Sequence, residues 1–222
     1  MSKYKIIMLV MLLVGLLIFD VVRADDNSLY GKCVYLDPGH GGIDPGATYG
    51  GVKEEDINLS IAFKLKENLE SKGAIVYLTR DGDYDLAPKG IKERKRADLY
   101  RRSVLINNSG CDLYLSLHLN ATTSSNWSGA QVFYDDINKN NIELAKVLQK
   151  QLKRDLRTTR QVKEVKDGYL YRHVKVPGVL IEMGFLSNPG ERNKLKKDSY
   201  QKLISNSITK GIETYLKNVK NR

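Results

Sequence analysis

Cysteine is almost missing from this chain of 222 residues, and that scarcity narrows the chemistry before any motif is considered. The two present, Cys33 and Cys111, are too few for a disulfide framework and too far apart for a CxxC redox or zinc pair, so both are expected as buried small hydrophobes. Histidine is nearly as rare. His40, His118 and His173 are the whole inventory, and neither His40 nor His118 lies in an HExxH, which excludes the helix-borne zinc motif. No internal repeat or low-complexity tract occurs, which excludes solenoid and linker-dominated architectures.

Long apolar runs are confined to the N-terminus. Ile6 to Phe19 follows Lys3 and Lys5 and closes at Asp20, reaching the length of a spanning helix, about 20 residues, only if Val21 and Val22 are counted across Asp20. Residues 1–24 are therefore expected to be a secretory signal, with Val22 and Ala24 as the small residues of a cleavage site, or an uncleaved N-terminal anchor. Either way the remainder acts outside the cytoplasm, and this segment is the only membrane contact expected. A linker at 25–30 precedes one domain over 31–222, a length suited to a single core. The net charge of +10 falls only to +8 when residues 1–24 are removed, so the basicity belongs to the domain. It favours anionic partners such as cell-wall polymers or lipid headgroups. Nucleic acid is excluded by the leader and by the lack of any recognisable nucleic-acid motif.

Strand and helix patterns alternate along the domain. CVYLDPGH is a short buried strand opening into a glycine-rich loop. Ile57, Ile61, Ala62, Leu65 and Leu69 recur at helical spacing over 56–72, and AIVYLTR returns as a strand. A helix completed by Leu99 to Asn108 leads to the strand DLYLSLHLN, then QVFY as an edge strand, a surface helix over 142–156, YLYRH and GVLIEMGF as strands, and an amphipathic C-terminal helix. The expectation is a single α/β domain with a mostly parallel or mixed twisted sheet flanked by helices on both faces.

Cys33 lies seven residues before His40 and Cys111 seven before His118, so the two strands have the character of neighbours in similar register, close enough to bring the thiols near each other. Residues just past the carboxyl ends of parallel strands line the functional crevice, which places both imidazoles in one region. A catalytic zinc site typically needs a third protein ligand. Glu54, Glu55 and Asp56, at the start of the first helix, are the acids that the Gly41 to Lys53 loop carries back towards the first strand. Glu182, closing the apolar strand after Val179, Leu180 and Ile181, is an acid whose burial is costly unless it faces a crevice.

Four segments in order, LDPGHGGIDPGA, KEED, LYLSLHLNA and PGVLIEMGFLSNPGE, closely resemble the zinc-dependent N-acetylmuramoyl-L-alanine amidases, and the resemblance runs from about Val34 to Leu216. It implies one Zn²⁺ held by His40, Glu54 and His118, with Glu55 the alternative acid because the preceding loop is one residue shorter than the family pattern. It also implies Glu182 as the catalytic base towards a zinc-activated water, and peptidoglycan as substrate. Arg80 and Arg102 match positions where the family often carries arginine, either to bind substrate or to pin helices to the sheet, with the structural role preferred for Arg102; Asn120 is expected to orient the site or donate a hydrogen bond to substrate.

The basic stretch Ala87 to Asp98, HLNA and the lack of wall-binding repeats are most similar to spore-cortex, germination-associated members. Those enzymes strip stem peptides ahead of muramic δ-lactam formation. The short span from His118 to Glu182 leaves little room for an inserted blocking helix, so any regulation is expected from a partner protein or from timing. A zinc peptidase acting within the stem peptide and a non-catalytic peptidoglycan-binding module are the competing readings.

Overall fold

The computed structural model describes residues 3–5, 7, 8, 10–12, 28–166 and 168–220. Most of the leader expected at 1–24 and of the linker at 25–30 falls outside the described residues. Among the described residues no helix is long and apolar enough to cross a membrane.

In chain order the strands are β1 (Cys33–Pro38), β2 (Thr48–Tyr49), β3 (Val52–Lys53), β4 (Ile75–Leu78), β5 (Leu113–Asn120), β6 (Gln131–Tyr134), β7 (Lys163–Glu164) and β8 (Gly178–Phe185). The helices are α1 (Glu54–Glu70), α2 (Arg94–Asn108), α3 (Asn141–Leu156), α4 (Tyr169–His173), α5 (Pro189–Leu195) and α6 (Asp198–Lys220). Six strands form one sheet in the order β4-β1-β5-β8-β6-β7, and β2 and β3 form a separate hairpin. β4, β1, β5 and β8 run parallel, while β6 is antiparallel to β8 and parallel to β7. The sheet is thus mixed, with helices on both faces, as the alternating pattern leads one to expect.

Because successive side chains leave a strand on opposite faces, the alternation in β5 sorts its residues. Leu113, Leu115, Leu117 and Leu119 join Val34, Leu36, Val179 and Ile181 of the neighbouring strands in the main core. That core is closed by Ile61 and Leu65 of α1, Leu148 of α3 and Ile208 of α6. The apolar periodicity of α1 is what commits it to this face. On the opposite face, Tyr35 and Tyr114 pack with Ile106 of α2 and Leu170 of α4 in a smaller cluster. Asp37, Ser116, His118 and Glu182 share this second face by the same alternation.

Several expectations are corrected. Cys33 and Cys111 are not separate apolar fillers; they form a disulfide. β1 and β5 are adjacent parallel strands with Val34 opposite Leu113, so their entry segments run side by side, Asp112 N–H donating to the Cys33 carbonyl at 3.0 Å. YLYRH is the five-residue helix α4, not a strand. β8 already pairs with β5 on one side and β6 on the other, so YLYRH has no free sheet edge there and instead buries Leu170 against the second face. QVFY is not the edge, because the two-residue β7 pairs outside it. α2 starts at Arg94, making the last five residues of the basic 87–98 stretch helical, and α1 starts at Glu54 rather than Asp56.

Candidate active site

β1 ends in a turn whose backbone determines where His40 points. His40 has φ 65°, in the left-handed region that non-glycine residues seldom occupy. Gly39 precedes it because the His118 ring lies against its α-carbon, so close that an added Cβ would sit 2.2 Å from the imidazole. The loop then returns through Gly46, where a Cβ would meet Glu54 Oε2 and the His40 ring at 2.7 Å. Small residues here let three polar side chains converge.

Glu54, the first residue of α1, is 3% exposed. Its Oε2 accepts from the Ala47 N–H at 2.9 Å. Its Oε1 lies 3.0 Å from His118 Nδ1, 3.2 Å from His40 Nε2, 3.0 Å from the Leu119 amide and 3.3 Å from Asn58 Nδ2. Burial opposes the charge on Glu54, yet the hydrogen bonds from His118 and His40 outweigh it and hold the carboxyl far below the ordinary range.

One donor atom each from His40, Glu54 and His118 falls within 4.8 Å of the other two. Ligands about 2.0–2.2 Å from a tetrahedral zinc are separated from one another by roughly 3.3 Å, so the carboxylate–imidazole spacings suit that ion. Two imidazoles and a carboxylate are also a donor set zinc accepts. The remaining nitrogen of His40, Nδ1, lies 3.1 Å from Asp44 Oδ2, the outer hydrogen bond that orients a ligating ring. Glu55, the alternative acid, turns away and pairs with Lys53 at 3.0 Å.

Glu182 stands opposite His118 across the β5–β8 pairing, so both point to the same face. Its Oε2 is buried with no hydrogen-bond partner among the described residues. Burial pushes its carboxyl up to about 7; His118 pulls it down and Glu54 adds to the rise. A cavity of about 320 Å³ opens over these groups, walled by Lys95 and Leu99 of α2 and by Tyr169 and Tyr171 of α4.

Arg80, Asn120 and His173 lie outside the three-donor cluster. Arg80 is 1% exposed and its guanidinium donates to the carbonyls of Pro38, Gly39, Glu55 and Gly82. Asn120 sits two residues past His118 on the same face of β5, and its carbonyl accepts from the Leu186 N–H at 2.8 Å. His173 is exposed, stacked on Tyr169 with ring centroids 4.2 Å apart, and outside the donor cluster. Sequence reading missed Asp37 and Asn58. Asp37 is buried against Arg102, Thr79 and Ser116. The signal was available, since an acid directly after Val34-Tyr35-Leu36 is costly to bury without partners.

A clustered imidazole–carboxylate set beside a carboxyl with a raised pKa, near the strand ends of an α/β sheet, is the kind of arrangement from which hydrolytic active sites are built. Residues 34–214 match the family profile described as N-acetylmuramoyl-L-alanine amidase. The chain is 49% identical over 191 residues to the germination-specific N-acetylmuramoyl-L-alanine amidase of Bacillus subtilis (strain 168), covering 84% of this chain and 81% of that protein. It is similar to the solved CwlD amidase from Clostridioides difficile in complex with the GerS lipoprotein, with TM-score 0.81 and 40% identity over 84% of this chain and 99% of that one. The catalytic domain of CwlV, an N-acetylmuramoyl-L-alanine amidase from Bacillus (Paenibacillus) polymyxa, matches at TM-score 0.74 and 28% identity, covering 84% and 98% of the two chains. The chain belongs to the N-acetylmuramoyl-L-alanine amidases and is a peptidoglycan amidase.

Proposed function

We propose that this amidase is an exported zinc enzyme in which His40, Glu54 and His118 hold the metal and Glu182 is the catalytic base. It cleaves the amide between the lactyl group of N-acetylmuramic acid and L-alanine of the stem peptide. The observation carrying this reading is the convergence of those three donor atoms next to Glu182, a half-buried side chain whose Oε2 is buried without a hydrogen-bond partner among the described residues. A zinc ion bound there supplies a Lewis acid for the lactyl carbonyl and lowers the pKa of water.

Glu182 removes a proton from the attacking water. The water oxygen bonds to the carbonyl carbon, the C–N bond breaks, and Glu182 returns that proton to the alanine nitrogen. The products are a lactyl carboxyl and a stem peptide with a free amino terminus. Asn120, on the same face as His118, hydrogen-bonds the substrate.

Mass spectrometry of defined peptidoglycan digested with and without chelator tests this. Whole stem peptides and free lactyl ends, lost on chelation, are expected; fragments cut within the peptide would replace the reading with a zinc peptidase. Similarity to a germination-specific amidase supports a setting in the spore cortex, with stem-peptide removal preceding muramic δ-lactam formation. Disrupting the gene in a spore former should then leave vegetative growth intact and remove δ-lactam. A relative solved with a lipoprotein supports a regulatory protein partner for this chain.

A further inference from the structure

Two guanidinium groups lie beneath the turn that carries His40, and both donate to its backbone carbonyls. Arg102, 1% exposed, donates from Nη2 to the His40 carbonyl at 2.7 Å and from Nη1 to the Pro38 carbonyl at 2.8 Å. Its charge is met by Asp37 and Asp98, each at 2.8 Å. Arg80 donates to the Pro38 carbonyl at 3.0 Å and, from one nitrogen, to the carbonyls of Gly39 and Glu55, each at 2.9 Å. Three successive carbonyls, 38 to 40, are therefore held by arginine, and Pro38 by both. The same two side chains tie that turn to the first turn of α1, where Glu54 sits, and to α2.

Arg80 forms no ion pair among the described residues, so its buried charge is solvated by carbonyl dipoles. Keeping an unpaired cation in such a place is costly. What arginine adds is a planar fork that serves several acceptors at fixed angles, which the point charge of lysine cannot do. The gripped segment includes His40 in its left-handed conformation, φ 65°, which has to be maintained by its surroundings. The turn is locked on its other side too: the Gly39 N–H donates to the Leu117 carbonyl at 2.9 Å, one residue before His118. Asn58 Nδ2 bridges the Gly39 carbonyl and Glu54 Oε1.

We propose that Arg80 and Arg102 are positioning residues: they clamp the 38–40 turn so that His40 is already set against Glu54 and His118 before a metal arrives. This rests on the zinc reading above. Outer hydrogen bonds usually orient a ligating ring through its free nitrogen; here the ligand's own backbone is gripped as well.

The test is zinc affinity of the purified protein by chelator competition, for the parent, Arg102→Lys and Arg80→Lys, alongside circular dichroism and thermal melting. Both variants keep the positive charge and lose the fork. A clamp predicts zinc binding weaker by about 10–100-fold in protein that remains folded. A merely structural role would lower the melting temperature and leave the zinc affinity of folded protein within twofold of the parent, which overturns the proposal. Should neither variant fold, hydrogen exchange on the metal-free parent decides: protected Gly39 and Gly41 amides support a preset turn, and protection that appears only on adding zinc overturns it. A parent that binds no zinc would instead remove the metal reading itself.

Discussion

On the face of the sheet covered by α1, α3 and α6, strands β1, β5 and β8 present Val34, Leu36, Leu115, Leu117 and Ile181, all 0% exposed. On the face covered by α2 and α4, the same strands present Asp37, Ser116, His118 and Glu182. The first face stabilises by removing apolar surface from water, about 25 cal/mol per Å². The second carries buried polar groups, each of which needs a partner or a function. Parallel strands covered on both faces usually run apolar throughout. The alternation here separates apolar packing from polar groups at single-residue spacing, so substitutions one position apart act on different interactions.

The sharpest break between the faces is expected at Glu182. Glu182→Gln should lower turnover by about 10²–10⁴-fold, the usual contribution of a general acid–base group, while zinc content and melting temperature stay near the parent. Parental rates of stem-peptide release would remove the chemistry from this face. Next in size, Leu115→Ala on the apolar side should cost about 2–5 kcal/mol in urea denaturation and leave kcat/KM of the folded enzyme nearly unchanged. A large loss of kcat/KM there would show that the faces are coupled.

Asp37→Asn should destabilise by about 3 kcal/mol, because removing one member of a buried ion pair leaves its partner under-compensated. Asp98 remains beside Arg102, which keeps the loss at the low end of the range. Urea midpoints of the parent and variant would measure it. The smallest effect is pH-dependent. Burial opposes ionisation of Asp37, but the Arg102 guanidinium with hydrogen bonds from Thr79 and Ser116 holds its pKa below the usual carboxylate range. Its stabilisation is therefore fully present above the unfolded pKa of about 3.9 and is lost as pH falls through the lower folded value. Midpoints measured downward from pH 5 should fall less steeply in Asp37→Asn; equal slopes would mean that Asp37 is not the group responsible.

Much of this division could be read in advance. The leucines at 113, 115, 117 and 119 alternate without a break, and the motifs around His40, Glu54, His118 and Glu182 pointed to groups that the structure brings together, Glu54 from the start of α1 and the others from the sheet. The equal seven-residue offsets of Cys33 and Cys111 from the two histidines carried the strand register, yet not the disulfide, since register brings thiols near without orienting them. The hairpin of β2 and β3, the two-residue β7 and α5 were not anticipated, being too short to show a period. YLYRH has the composition of a strand and became α4 because both sides of β8 were taken.

The sequence by itself determined the family, the α/β class and the residues capable of chemistry, because local patterns and invariant chemical demands are written one residue at a time. Tertiary structure alone decided that the cysteines are joined and that Arg80 and Arg102 face carbonyls of the His40 turn, and it set Glu54, already preferred over Glu55 by motif register, against the two imidazoles. Each of those outcomes depends on distances between segments far apart in the chain, and such distances exist only once both faces of the sheet are packed.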